Sequence, residues 1–170
     1  MSQQRSEHQV DVDELAGQLI SHLVERDLTL ATCESLTGGG IAYALTRIPG
    51  ASRVLRGGLI TYASDLKVDL AGVDADWAER YGVINETTAV EMARGALEVC
   101  RAQVAVACTG VAGPDPQDGH QPGEVWLAVA MREKPQPAIV TRHLLLAGDR
   151  DAVRSQTVAQ AIQLVLDQMR

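Results

Sequence analysis

Two short apolar runs, LTLATC (28–33) and QVAVAC (103–108), each break into a turn of small residues, ESLTGGG and TGVAGP, and this arrangement constrains the fold more than any other feature. Apolar runs of strand length with no polar alternation suit strands buried on both faces, which occur where helices cover a sheet from two sides. The first turn opens into a stretch that predicts a helix over 38–47, stopped at the Ile48-Pro49-Gly50 step because proline disfavours helix in the residue before it. Strand, glycine turn and helix in this order form the repeating unit of an α/β sheet.

The rest of the chain continues the alternation. Val12, Leu15, Leu19, Leu23 and Val24 recur at helical spacing and predict a helix over 12–26. VLRGGLITY (54–62) reads as a strand, ASDLKVDLAG as a short helix, 74–80 as one or two helical turns, and 86–101 as a longer helix that Asn85 can cap. EVWLAVAM (124–131) and AIVTRHLLL (138–146) predict a hairpin around REKPQP, followed by a closing helix over 149–169 with Val153, Val158, Ile162, Val165 and Leu166 inward. The expected fold class is α/β: one layered domain over 11–170, a mixed β-sheet of about five strands packed with helices, behind a flexible tail over 1–10. A length of 170 residues suits a single core.

Composition removes several classes of function. No apolar run approaches the ~20 residues of a membrane span, and the polar start MSQQRSEHQ does not resemble a signal peptide, so no membrane partner and a cytoplasmic location are expected. Three cysteines, Cys33, Cys100 and Cys108, form no CxxC pair and suit reduced, buried thiols rather than structural zinc. A net charge of −7, a pI near 5.0 and a chain with three Tyr, two Trp and no Phe oppose direct nucleic-acid binding. An acidic chain that handles an anionic substrate must build a local positive site from helix N-termini and arginines. Self-association as a homodimer or higher homo-oligomer is compatible with a small α/β domain, although no segment displays an interface.

Ser35 falls in the turn between a predicted strand and a predicted helix, where a side chain stands at the mouth of an open sheet. The backbone donors of Thr37, Gly38 and Gly39 beside it suit either an oxyanion or a phosphate. The plain alternative is a serine that only caps the helix. Tyr62 and Lys67 follow in GGLITYASDLK, and the chain writes its cations as thirteen Arg and two Lys, so a lysine here invites a chemical explanation. A guanidinium stays protonated, whereas a desolvated ammonium can lose its proton and serve as a base. Taken singly, Lys67 reads as a solvated helix lysine and Tyr62 as a strand-end tyrosine. His8, His22, His120 and His143 fall in no motif, which weakens a Ser-His-Asp arrangement. Thr109 and Gly110 end the second apolar strand at the edge where open sheets hold ligands, and Thr109 can donate to a substrate. Arg150 and Arg154 start the last helix, where an arginine can fork an anion. Asp115, Asp118 and His120 read as a solvated turn, and no metal is assigned. Cys33 reads as a buried small residue rather than the nucleophile.

With these residues in place, the chain resembles the C-terminal domain of the competence-damage inducible protein family, which includes stand-alone nicotinamide mononucleotide amidases. ESLTGGGIAYALTRIPGAS is similar to the family's ESCTGG helix and PG turn, GGLITYASDLKVDLAGV to its GxxTYxxxxK segment, and TGVAGP to its TGIAGP loop, with YGVINETTAVEMARGAL fitting as well. The resemblance runs from about Leu15 to the last helix. It implies a serine amidohydrolase that converts nicotinamide mononucleotide to nicotinic acid mononucleotide and ammonia without a cofactor, with Ser35, Tyr62 and Lys67 catalytic, Thr109 at the substrate and Arg150 in contact with it. Two departures stand out: Leu36 replaces the usual Cys, and the loop DPQDGHQPGEV replaces a glycine-rich step, which bears on the substrate more than on the nucleophile. Larger family members carry an N-terminal pyrophosphatase domain, for which these residues leave no room. The competing expectations are a catalytically silent nucleotide-binding or regulatory module, and a phosphate-handling nucleotide hydrolase that uses ESLTGGG as an anion cradle.

Overall fold

A computed structural model of the chain describes residues 11–132 and 135–169. The expected tail over 1–10 and two residues of the REKPQP turn, Glu133 and Lys134, lie outside the described residues. Helix α1 (Val12–Glu25) begins where the Asp11 carboxylate accepts from the amides of Asp13 and Glu14, and it buries Leu15, Leu19 and Leu23. Strand β1 (Leu30–Glu34) is buried at every position. After it come α2 (Gly40–Thr46), β2 (Leu55–Ile60), α3 (Ser64–Asp69), α4 (Ala75–Tyr81), α5 (Glu86–Val99), β3 (Val104–Gly110), β4 (Glu124–Met131), β5 (Ala138–Leu145) and α6 (Arg150–Gln168).

The strands form one mixed five-stranded sheet in the order β2-β1-β3-β4-β5. Strand β1 runs parallel to β2 and β3, and β4 and β5 are antiparallel, so the predicted hairpin and the mixed sheet are both present. Alternation sends Leu30, Val104, Val106 and Cys108 into a core shared with α1, α2 and α6. Ala31, Cys33, Ala105 and Ala107 face the opposite core, under α5. The chain leaves β1 toward β2 on one side and leaves β3 toward β4 on the other. The C-terminal ends of β1 and β3 therefore flank a topological switch point, where open sheets leave a crevice. Among the described residues no helix is long and apolar enough to cross a membrane.

Pairing moves the predicted boundaries. Strand β1 reaches Glu34 because that residue pairs with both Ile60 and Cys108, so Ser35 follows the strand directly. Strand β2 stops at Ile60, two residues short of Tyr62, and a 3-10 turn over Ala51–Arg53 precedes it.

The alanine-rich face lets α5 lie close to its neighbours, and Gly95 marks the tightest point, where an added Cβ would sit 1.9 Å from the carbonyl oxygen of Ala71. On an open helix face Gly→Ala is worth about 1 kcal/mol of added stability. Here the contact with backbone reverses the sign, and Gly95→Ala is expected to destabilise the fold by about 3 kcal/mol, read as a lowered urea midpoint at unchanged m-value.

Candidate active site

The turn that carries Ser35 is organised around its neighbour Glu34, which is 0% exposed. One carboxylate oxygen of Glu34 accepts from Thr37 Oγ1 at 2.6 Å, from the Gly39 amide at 3.1 Å and from the Ile41 amide at 3.0 Å. The other accepts from the Ala42 amide at 2.9 Å. The start of α2, whose amides would otherwise be unpaired, is thus filled by the chain's own anion. Gly38 and Gly39 have φ of 59° and 96°, left-handed values that a side chain resists, and this lets the turn fold back on Glu34. The Gly38 amide donates to Ser35 O at 3.0 Å. On the outside, the Arg154 guanidinium donates to Leu36 O and Thr37 O, both at 3.1 Å.

These bonds bear directly on the donors expected to face an anion. The Thr37 hydroxyl and the Gly38 and Gly39 amides point into the turn, and Thr37 lines a different cavity of about 400 Å³ with Tyr43, Arg47 and Arg154. The Leu36 amide, directly after Ser35, has no acceptor among the described residues.

Ser35, Tyr62, Lys67, Thr109, Gly110 and Arg150 do line one cavity, of about 160 Å³, at the switch point. Ser35 is 8% exposed, its amide donates to Cys108 O at 3.2 Å, and its Oγ has no hydrogen-bond partner among the described residues. Lys67 is only 2% exposed, although it sits on a helix of six residues, and its Nζ donates to Thr61 O at 2.7 Å. Burial lowers the Lys67 pKa from its ordinary 10.5, against the opposing pull of Cys33, Cys108 and Asp65. The Cys33 thiol is pushed up to about 12 and the Cys108 thiol to about 11, in both cases mainly by burial. Near neutral pH both remain thiols, the weakly nucleophilic form.

Tyr62 is 57% exposed, and its hydroxyl accepts from Arg150 at 2.8 Å. The same guanidinium donates to Gly113 O at 2.7 Å, so Arg150 bridges the end of β2 and the loop after β3. Thr109 is buried and its hydroxyl donates to Val83 O at 2.7 Å. Its proton is therefore spent on holding the 82–84 segment, with an oxygen lone pair left as its polar contribution. Gly110 is required by packing, since an added Cβ would lie 2.4 Å from Glu124 O.

Several contributors were missed by sequence reasoning. Val83 and Ile84 form an apolar wall of the cavity, and Asp115 and Gln117 border it. The signal for the wall was the apolar pair just before the Asn85 cap, the position where a residue packs back onto its helix. Arg154, expected with Arg150 to fork an anion, instead donates to Leu36 O and Thr37 O and so holds the turn that carries Ser35 from outside. His120 and His143 flank Glu124, with Nδ1 and Nε2 at 3.0 and 3.4 Å from its carboxylate oxygens. Among the described residues no group of three or more His, Cys, Asp or Glu could hold a metal ion.

Comparison with known proteins gives a consistent picture. Residues 12–169 match the family described as the CinA C-terminal domain. The nicotinamide-nucleotide amidohydrolase PncC of Escherichia coli (strain K12) is 38% identical over 156 residues, covering 91% of this chain and 93% of that protein. A putative competence-damage inducible protein of Limosilactobacillus fermentum is 40% identical over 158 residues, and this chain spans 37% of its length. The crystal structure of the competence/damage inducible protein CihA from Agrobacterium tumefaciens superposes with a TM-score of 0.89 at 35% identity, over 94% of this chain and 96% of that one.

Proposed function

Because the chain belongs to the CinA C-terminal domain family, we propose that it is an amidohydrolase that removes ammonia from the carboxamide of nicotinamide mononucleotide, with Ser35 as nucleophile and Lys67 as base. The observation that carries this reading is the convergence of Ser35 with a buried, pKa-lowered Lys67 in one small cavity. A desolvated amine that lines the same cavity as an unpaired hydroxyl suits serine catalysis without histidine.

In this reading the neutral Lys67 amine takes the Ser35 proton, either directly or through the Tyr62 hydroxyl. Ser35 Oγ bonds to the carboxamide carbon, and its carbonyl oxygen becomes an oxyanion that the free Leu36 amide stabilises. The carbon–nitrogen bond then breaks, and the leaving nitrogen takes the proton back from lysine and departs as ammonia. Water adds to the ester, and the Ser35–carbon bond breaks to give the carboxylate and restore the hydroxyl. Because a backbone amide donates in this reading, leucine in place of the usual cysteine at position 36 need not stop the chemistry.

The cavity, at about 160 Å³, is smaller than the ~300 Å³ or more that encloses a whole drug-sized ligand. It accommodates the pyridine ring and carboxamide against Val83 and Ile84, with ribose phosphate at the rim near Arg150. The reading in which ESLTGGG is an anion cradle for a phosphohydrolase is weakened because the Thr37 hydroxyl and the Gly39 amide donate to Glu34 and the Gly38 amide to Ser35 O.

The test is to supply nicotinamide mononucleotide with EDTA present and to follow ammonia and nicotinic acid mononucleotide together. Equal, chelator-resistant release of the two products is expected. Absence of both, with protein folded by circular dichroism, would sink the amidase reading for this substrate.

A further inference from the structure

We propose that Glu34 is a positioning residue for the reaction: a buried carboxylate that never touches substrate, but holds Ser35 in its attacking geometry by tying the end of β1 to the start of α2. The proposal rests on the reading of Ser35 as nucleophile.

Glu34 borders the nucleophile in sequence but is not among the residues that line its cavity. A buried carboxylate is costly unless every lone pair is met, and here four donors meet it: one hydroxyl and three backbone amides. A helix that needed only a cap would take it from a Ser, Thr, Asp or Asn at the capping position. That position in α2 is Gly39, which has no side chain to offer, and the cap instead comes from five residues upstream. The bonds therefore span the whole of Ser35-Leu36-Thr37-Gly38 and close it into a loop. The Glu34 carbonyl also accepts from the Thr61 amide at 2.9 Å, which ties the same residue to the segment that carries Tyr62 and accepts from Lys67. With Arg154 clamping Leu36 O and Thr37 O from outside, the turn is held on both sides. Ser35 Oγ itself has no partner to orient it, so its position is set by the backbone that Glu34 fixes. A displacement of 1 Å at an attacking atom is worth about 100-fold in rate.

Glu34→Gln keeps the shape but turns one acceptor oxygen into an NH₂ group that faces amide donors. The variant is expected to label at Ser35 with a fluorophosphonate about 100-fold more slowly than the wild type, read by intact and peptide mass, and to lose a similar factor in kcat with KM within about 3-fold. A role confined to folding would move KM, kcat and melting temperature together. Folded Glu34→Gln that labels and turns over at the wild-type rate overturns the proposal. Should Glu34→Gln fail to fold, Thr37→Val and Thr37→Ser take its place. Loss of the hydroxyl is expected to slow labelling about 10-fold, and serine to restore it. Wild-type labelling by Thr37→Val overturns the proposal equally. A wild-type protein that neither labels at Ser35 nor releases ammonia instead removes the nucleophile reading, and the positioning role with it.

Discussion

Ser35→Ala is expected to lower kcat for nicotinamide mononucleotide by about 10⁴-fold or more while shifting the melting temperature by no more than about 2 °C. The two halves of this expectation come from one observation, that Ser35 Oγ has no hydrogen-bond partner among the described residues. Removal of the hydroxyl breaks no internal bond and leaves the Glu34 and Arg154 contacts to the turn in place, so little stability is lost. Removal of the nucleophile eliminates the covalent route altogether and leaves only what the oxyanion donor and substrate orientation provide over water. Ammonia release under single turnover, with circular dichroism melts of both proteins, reads both quantities. Residual activity above about 1% in a folded variant would mean that water attacks the carboxamide directly and that Ser35 serves another purpose.

The parts of this site that were legible in the sequence are those where local pattern and tertiary position agree. The apolar runs at 28–33 and 103–108 read as buried strands, and both are central in the sheet. In the sheet the two strands pair in parallel, Glu34 opposite Cys108, which brings Ser35 near Thr109 and Gly110. Asn85 caps α5 as its side-chain chemistry suggests. What escaped was the direction in which polar groups face. Glycines after a serine advertise free amides, yet the Gly39 amide is taken by the carboxylate one residue before the serine and those of Gly38 and Gly40 by carbonyls within the turn, which only the fold back at Gly38 and Gly39 shows. Thr109 stands where a substrate donor would be useful, but its hydroxyl donates to Val83 O. Lys67 shows the same limit from the other side: on six residues of helix it has every local reason to be solvated, and its burial is a product of tertiary closure.

That burial makes Lys67 the second decisive residue. Both Lys67→Met and Lys67→Arg are expected to lower kcat by about 10³-fold, because methionine has no base and guanidinium stays protonated. Arginine preserves positive charge, so an active Lys67→Arg would assign Lys67 to fixed-charge stabilisation and reject proton abstraction. The wild-type kcat/KM should rise with pH through the folded-state pKa of Lys67, which lies below 10.5, because the neutral amine is the active form. Stability follows with a definite sign. Below the folded-state pKa both folded and unfolded chains hold the proton, and the desolvation penalty is felt in full. Between that pKa and 10.5 the unfolded chain binds more protons, so stability climbs with pH, and above 10.5 both states are neutral. Urea unfolding of wild type from neutral pH upward should therefore show a rise that Lys67→Met lacks, even though that variant also leaves Thr61 O without its donor. A wild-type curve parallel to that of Lys67→Met would mean that Lys67 has an unshifted pKa, and an amine with an unshifted pKa could not serve Ser35 as a base near neutral pH.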